Sequence, residues 1–343
     1  PEHGRMYPER HGLHRVAAMR ISFYVEDFLF FKYIGCATVA KTLYRQLETM
    51  DGLDLRWKGL PDHADLVHYH TFGPLALLNR RLAKGRRVLT AHSTPRINRG
   101  NISLEKLINR QYPKIYGKYD HIITISEPCH EEVTRMVPDI PATLIPNGVN
   151  REFFQRDPEK AAAFRDRHGI PDEQEVVLSV AQLTPRKGLY DFLSIAKQSP
   201  GKTFVWVGGF PYGALSKDWR RIHRLKQRCG QNVIFPGYID DIIGPYSAAD
   251  TFLMPSYAET FGLVILEALS CGLPVVARDI PEFREIFGDT ILFFQSRDEA
   301  AALIDDRPLL SRYAAGARDY TAAYDIRDVA RQHLDLYREL VGP

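Results

Sequence analysis

Residues 254–279 read MPSYAETFGLVILEALSCGLPVVARD. An apolar run ends at Met254, a polar turn carries Glu259, and a helical pattern then runs from about Gly262 until Gly272 stops it. A second apolar run, 274–277, has the length of a buried strand. Strand, turn, helix and strand in that order form part of a doubly wound α/β unit. The helix therefore starts at the carboxyl edge of a parallel sheet, where its unpaired N–H groups favour an anion. Glu259 stands just before that helix and Glu267 lies within it.

Outward from this stretch the alternation repeats. In the second half, strands are expected over 176–180, 203–207, 232–235 and 250–254, with a helix over 189–197 entered through LTPRKG at 183–188. In the first half, strands are expected over 19–25, 64–70, 87–91 and 120–126. A helical pattern begins near Ala37 with Val39, Leu43 and Leu47, and another begins after Ser126 as its N-cap. The halves meet at LIPNGVN, 144–150, where Asn147-Gly148 predicts a tight bend. A polar connector interrupted by Pro158 and Pro171 follows. Ile326, Val329, Ala330, Leu334, Tyr337 and Val341 give the last stretch an amphipathic helical spacing. The expected fold class is α/β, with two doubly wound parallel sheets facing across a ligand cleft.

Composition narrows the function. A chain of 343 residues, 45% hydrophobic and 25% charged, suits two globular domains. No apolar run approaches the roughly 20 residues that span a bilayer, and a cytoplasmic location is expected. Net charge +3 is too small to argue for nucleic acid. Cys36, Cys129, Cys229 and Cys271 lack paired spacing and read as reduced thiols. Neither a P-loop nor a G-x-G-x-x-G fingerprint occurs, which removes the usual ATPase and dehydrogenase readings. No Asp-x-Asp triplet occurs, so no metal is expected.

Glu259-Thr-Phe-Gly262, Glu267-Ala-Leu and Gly272-Leu-Pro-Val-Val together resemble the donor-sugar motif of the retaining glycosyltransferases of family 4, which have the GT-B fold. The resemblance covers nearly the whole chain from Met19. It implies that Glu259 meets the hydroxyls of the donor sugar, that Glu267 holds the ribose, and that the backbone of Phe261, Gly262 and Leu263 meets sugar and phosphate. By the same resemblance Lys187, in Arg186-Lys187-Gly188, meets the diphosphate. The family's second basic residue is replaced by Gln182, and Arg186 is placed to supply that charge. Tyr238 and Ile239 fall where the family's backbone meets the base, and Gly35 where its backbone approaches the diphosphate. His92 corresponds to a histidine close to the reacting carbon, whereas His68 and His70 read as interior residues.

The implied organisation is an N-terminal extension over 1–18, an acceptor-side domain over 19–150, a nucleotide-sugar domain over 151–325, and a helix over 326–343 that crosses back to the first domain. Within the family, TPRKG (184–188), FVWVGG (204–209), VIFPGY (233–238) and RDIP (278–281) look closest to bacterial diacylglycerol glucosyltransferases. That favours UDP-glucose as donor over GDP-mannose or UDP-galactose.

The acceptor is expected to be a lipid. FLFFKYI at 28–34 replaces most of the family's glycine-rich loop, and Phe30, Phe31 and Tyr33 suit an acyl chain on the acceptor side. Segment 102–119 interleaves apolar and aromatic residues, Tyr112, Tyr116 and Tyr119 among them, with Lys106, Arg110, Lys114 and Lys118. It reads as an interfacial segment facing an anionic membrane, which would make the protein peripheral at the inner face. The basic run from Lys217 to Arg228 reads as a solvated helix face. Two alternatives stay open on the sequence: a nucleotide-sugar epimerase or hydrolase of the same fold, and a non-catalytic module that binds sugar nucleotides.

Overall fold

The computed structural model describes residues 18–26, 35–97, 109–210, 213 and 216–342. The expectations for 1–17, for Phe30, Phe31 and Tyr33, and for 102–108 lie outside them.

The chain builds two six-stranded sheets, parallel throughout. The first is made of β1 (Met19–Tyr24), β2 (Leu53–Trp57), β3 (Leu66–Tyr69), β4 (Arg86–Thr90), β5 (His121–Thr124) and β6 (Ala142–Leu144), in spatial order β2-β1-β3-β4-β5-β6. The second is made of β7 (Val176–Val180), β8 (Thr203–Val207), β9 (Val233–Gly237), β10 (Thr251–Met254), β11 (Val275–Arg278) and β12 (Leu292–Phe294), in order β12-β11-β10-β7-β8-β9. β3, β5 and β10 are buried along their whole length, as central strands covered by helices on both faces must be. The order reverses between β1 and β3 and again between β7 and β10. The carboxyl ends flanking those two switch points are where such sheets hold ligands.

Strands β2, β6 and β12 have no counterpart among the sequence expectations. β6 and β12 are three residues long, and β2 and β6 are only half-buried, so they lack the apolar run that marks a central strand.

Helix Ile326–Val341 buries Ile326, Val329, Ala330, His333, Leu334, Leu336 and Tyr337. They pack with Ile21 and Phe23 of β1 and with Leu43 and Leu47 of helix Gly35–Leu47, so the chain's last helix covers the first sheet. Gly148 serves this return. Its φ is not in the left-handed region, so it does not supply the bend expected of it. A Cβ there would stand 2.9 Å from Cα of Ile326, and the close approach is what requires glycine.

Two further expectations are corrected. Ser126 occupies the N-cap position of helix Glu127–Met136, but its hydroxyl makes no cap. It donates instead to the carbonyl of Thr260, 3.2 Å away in the second half. Tyr112, Tyr116 and Tyr119, expected on an interfacial face, are buried against Tyr69, Leu89 and Ile122. Their spacing reflects core packing under the first sheet, which membrane contact would not allow.

The halves also meet through the ion pair of Arg96 with Glu282 and through the Glu127 amide, which donates to Glu285 at 3.4 Å. Ile125, just past β5, shares an apolar cluster with Phe261 and Phe283.

Tyr337 donates or accepts at 2.6 Å to Nδ1 of the fully buried His68. Replacing it by phenylalanine keeps the ring and leaves that nitrogen unpaired. Tyr337→Phe is expected to cost about 1–3 kcal/mol, read as a lower midpoint in urea unfolding.

Candidate active site

The opening stretch begins where β10 ends. Gly188, left-handed at φ 78°, lies against the carbonyl of Pro255, and a Cβ there would come within 2.0 Å of that oxygen. No side chain fits, so the turn after β7 and the loop after β10 are packed backbone to backbone. The contact is sewn on both sides: the Tyr257 amide donates to the Arg186 carbonyl at 2.9 Å, and the Arg186 guanidinium donates to the Ala258 carbonyl at 2.6 Å.

This contact brings the charged residues together. Lys187 forms an ion pair with Glu259, which is buried, while Arg186 stands 4.0 Å from the other carboxylate oxygen. Burial works against both charges. For Lys187 it prevails over Glu259 and lowers the pKa; for Glu259 the two cations prevail over burial and also lower it. Two cations facing one carboxylate leave the group ionised with a surplus positive charge. Lys187 spends one N–H donor on Glu259 and keeps two.

Gly262, left-handed at φ 86°, starts helix Leu263–Ser270, and a Cβ there would meet the Phe283 ring at 2.7 Å. Phe261 is buried edge-on against Phe287 and Tyr324, so only its backbone is available to a ligand. Leu263 is half-buried. Glu267, on the same helix, is buried and accepts from the Tyr246 hydroxyl at 2.7 Å. Burial raises its pKa to about 7, with the tyrosine bond acting the other way.

The ends of β7, β8 and β9 complete this side. Gly208 donates to the Gly237 carbonyl at 2.8 Å, and Leu183 to the Gly209 carbonyl at 2.9 Å. Tyr238, 41% exposed, lies over Gly209, where a Cβ would touch its ring at 2.5 Å; Ile239 is half-buried. A flat, partly exposed ring at the outer end of this edge can stack on a planar group.

Sequence reasoning did not find Asp191. It is 2% exposed, in the first turn of helix Leu189–Gln198, and receives Arg278, Arg297 at 2.5 Å and the Tyr257 hydroxyl. Arg278 also lies over the Tyr257 ring, 4.1 Å from its centre. Asp191 thus braces the loop that carries Glu259. Its partners lie 66, 87 and 106 residues further along the chain, and only their convergence in space reveals the group.

From the first sheet come His92, just past β4, and Gly35, at the start of helix Gly35–Leu47. His92 is half-buried, and its Nε2 lies 2.9 Å from Nδ1 of the buried His70. Burial pulls both histidines down, so each is neutral and the contact holds a single proton. The Nε2 of His70 has no partner. An orphaned buried donor is the rarer case, which places the shared proton on His70 and makes that Nε2 a bare acceptor. His92 then accepts at Nε2 and carries its own proton at Nδ1. His68 is bonded at both nitrogens, to Tyr337 and to Thr90 at 2.7 Å, and is structural.

Comparison with known proteins agrees with this geometry. The pattern described as Glycosyltransferase Family 4 matches residues 35–153, and that of Glycosyl transferases group 1 matches residues 160–311. The processive diacylglycerol alpha-glucosyltransferase of Acholeplasma laidlawii is 32% identical over 71% of this chain and 75% of its own length. The chain belongs to the family 4 glycosyltransferases. The alpha-galactosylglucosyldiacylglycerol synthase of Streptococcus pneumoniae is 29% identical over 82% of this chain and 79% of its own length. Two solved structures share the GT-B fold: sucrose-phosphate synthase of Thermosynechococcus elongatus (TM-score 0.78, 20% identity, 94% of this chain and 99% of that one) and Anabaena HepE with UDP-glucose (0.76, 19%, 94% and 100%). The protein is a hexosyltransferase.

The state of Glu267 in this glycosyltransferase has a consequence for stability. Its carboxyl ionises near pH 4.5 when unfolded and near 7 when folded, so the fold binds the extra proton and stability falls as pH rises through that window. Glu267→Gln lacks this term. The stability of the wild type relative to Glu267→Gln is expected to fall by on the order of 3 kcal/mol between pH 4 and 8, measured by urea unfolding at a series of pH values.

Proposed function

We propose that the protein is a retaining glucosyltransferase that moves glucose from UDP-glucose to the hydroxyl of a glycerolipid at a membrane surface. The observation that carries this reading is the similarity, over most of the chain, to two enzymes whose names specify diacylglycerol glycolipids. The fold shared with a protein holding UDP-glucose supports the donor.

In this reading residues 19–150 form the acceptor side, 151–325 the nucleotide-sugar side, and 326–343 the return helix. The sugar–phosphate bond breaks, the acceptor oxygen bonds the anomeric carbon from the same face, and its proton passes to the departing phosphate oxygen, releasing UDP. No separate base is required. Charge grows on the diphosphate as it leaves. Lys187, with two donors left, and Arg186 stand beside the start of helix Leu263–Ser270 to meet it. Glu259 accepts from the sugar hydroxyls and Glu267 from the ribose. The backbone of Phe261, Gly262, Leu263 and Gly35 approaches sugar and phosphate, Tyr238 and Ile239 meet the base, and the Nδ1–H of His92 is offered to the sugar. Phe30, Phe31 and Tyr33 receive the acyl part. Among the described residues no helix is long and apolar enough to cross a membrane, and a peripheral association at the inner face suits such an acceptor.

The assay is glucose transfer from UDP-glucose to dioleoylglycerol in vesicles. With Lys187 and Arg186 meeting the diphosphate, turnover is expected to persist in excess EDTA. Complete loss that manganese or magnesium restores would show that the charge is compensated otherwise.

The roles of the buried pair separate by measurement. Lys187→Ala is expected to weaken UDP binding at least tenfold by calorimetry, the scale of one charge-assisted hydrogen bond. Glu259→Ala is expected to depress turnover more than UDP binding. Unchanged UDP affinity in the lysine variant would remove Lys187 from the diphosphate.

A further inference from the structure

The buried acids of the second half differ in what faces them. Glu259 has Lys187 and Arg186, and Asp191 has Arg278 and Arg297. Glu267, also buried, has no lysine or arginine against it among the described residues. Arg156 and Arg318 come near its helix, but their guanidinium groups donate to backbone carbonyls, Arg156 to Cys271 and Ala249 and Arg318 to Ser270 and Phe154. The other titratable neighbour is Cys271, whose thiol burial pushes up to about 12, so it stays neutral.

The carboxylate is therefore left to Tyr246, whose hydroxyl donates to Oε2 of Glu267 at 2.7 Å. The Val264 carbonyl, 3.4 Å from the same hydroxyl, is the weaker competitor for its single proton. Tyr246 belongs to helix Ile243–Ala248, just before β10, and is fully buried. Its ring is stacked on Phe252 of β10, 5.9 Å between centres, and lies edge-on to Phe154 at 5.8 Å. Phenylalanine would fill that space as well. A buried hydroxyl has to be offset by a hydrogen bond, and a carboxylate is the strongest acceptor it can find.

The bond fixes one oxygen and frees the other. Oε1 of Glu267 has no partner among the described residues and, unlike Nε2 of His70, is not sealed from solvent. Glu267 lies one turn into helix Leu263–Ser270, which starts at the carboxyl edge of the sheet. An oxygen with two lone pairs in that place accepts from two hydroxyls on adjacent carbons. The tyrosine bond also favours the ionised carboxyl against burial, which has already raised its pKa to about 7. Without the hydroxyl the group would titrate higher still and be protonated at neutral pH.

We propose that Tyr246 is a positioning residue for the donor: by holding Oε2 it turns Oε1 of Glu267 to the 2′ and 3′ hydroxyls of the ribose and so sets the preference for a ribonucleotide. The proposal rests on the reading of Glu267 as the ribose contact.

Binding of UDP and of 2′,3′-dideoxy-UDP is measured by calorimetry at pH 7.5 and pH 9. The two ligands share base and diphosphate, so the ratio of their affinities reads the ribose contact alone. Wild type should favour UDP about tenfold or more, the scale of one charge-assisted hydrogen bond. Tyr246→Phe should reduce that ratio to roughly threefold or less at pH 7.5 and regain part of it at pH 9, where the carboxyl ionises. Its affinity for the dideoxy ligand should stay close to that of wild type. Glu267→Gln should lose the preference at both pH values, and adding Tyr246→Phe to it should remove nothing further, because the two act as one unit. A wild-type ratio in Tyr246→Phe at both pH values, or an equal loss of affinity for both ligands, overturns the role of Tyr246 and leaves Glu267 on the ribose. A wild type that binds both ligands alike takes the ribose away from Glu267 and overturns the proposal with it.

Discussion

The site depends on two loops of the second sheet lying closer together than side chains allow. Gly188 against the Pro255 carbonyl sets that distance, and the Lys187–Glu259 pair is its chemical result. A buried ion pair stabilises little by itself, because removing two charges from water costs several kcal/mol per ion before attraction returns it. Here the cost is met by position. The helix start, Arg186 and the backbone bonds of Tyr257 and Ala258 fix both groups before a ligand arrives. Fixed charges in a dry site need no rearrangement when negative charge develops, and this is the main way such a site lowers a barrier. Asp191 is the counterweight: buried between two arginines and a tyrosine, it holds the far side of the same loop.

Much of this was legible in the sequence, for a physical reason. Central parallel strands are buried on both faces and read as apolar runs, and each of β1, β3, β4, β5, β7, β8, β10 and β11 announced itself that way, while the half-buried edge strand β9 was found from its β-branched and aromatic residues. Gly188 sits where backbone must approach backbone, and Gly262 where a left-handed turn meets the Phe283 ring, so both positions call for glycine. What was not legible has the opposite character. The half-buried β2 and the three-residue β6 carry too few apolar residues, and Asp191 takes its meaning from partners at 257, 278 and 297. The tyrosines at 112, 116 and 119 misled because an aromatic and basic alternation is shared by an interfacial helix and by a core helix whose lysines reach past it to water. Their burial, 2% or less for each, decides between the two. The exposed leucines at 75, 78 and 82 are the converse. As letters they look like core, and only the packing shows that the sheet takes Ala76 and leaves them outside.

The first half contributes less charge and more shape. His92 reaches the cleft through a stack of neutral rings, His70 beneath it at 5.2 Å and His68 beneath that at 4.1 Å. Protonating any one of them would bury a charge with no acid beside it, so the stack stays neutral. The last ring in line is tied to Tyr337 on the returning helix. The chain's final helix therefore closes the first domain and also pairs the innermost ring of the stack on which His92 rests.

The contacts between the halves bear on how they work as one enzyme. Ser126 gives up a helix cap to bond Thr260, the residue next to Glu259, and Val149 pairs with Asp325 where the chain returns. These two crossings tie the first half to the residue beside Glu259 and to the start of the return helix. A shift of one half against the other would thus move Glu259 and the support of His92 together. Relative domain motion is the ordinary expectation for two halves of one chain unless a large apolar interface holds them. Here such motion would act at once on Glu259 and on the support of His92, the two residues proposed to meet the sugar.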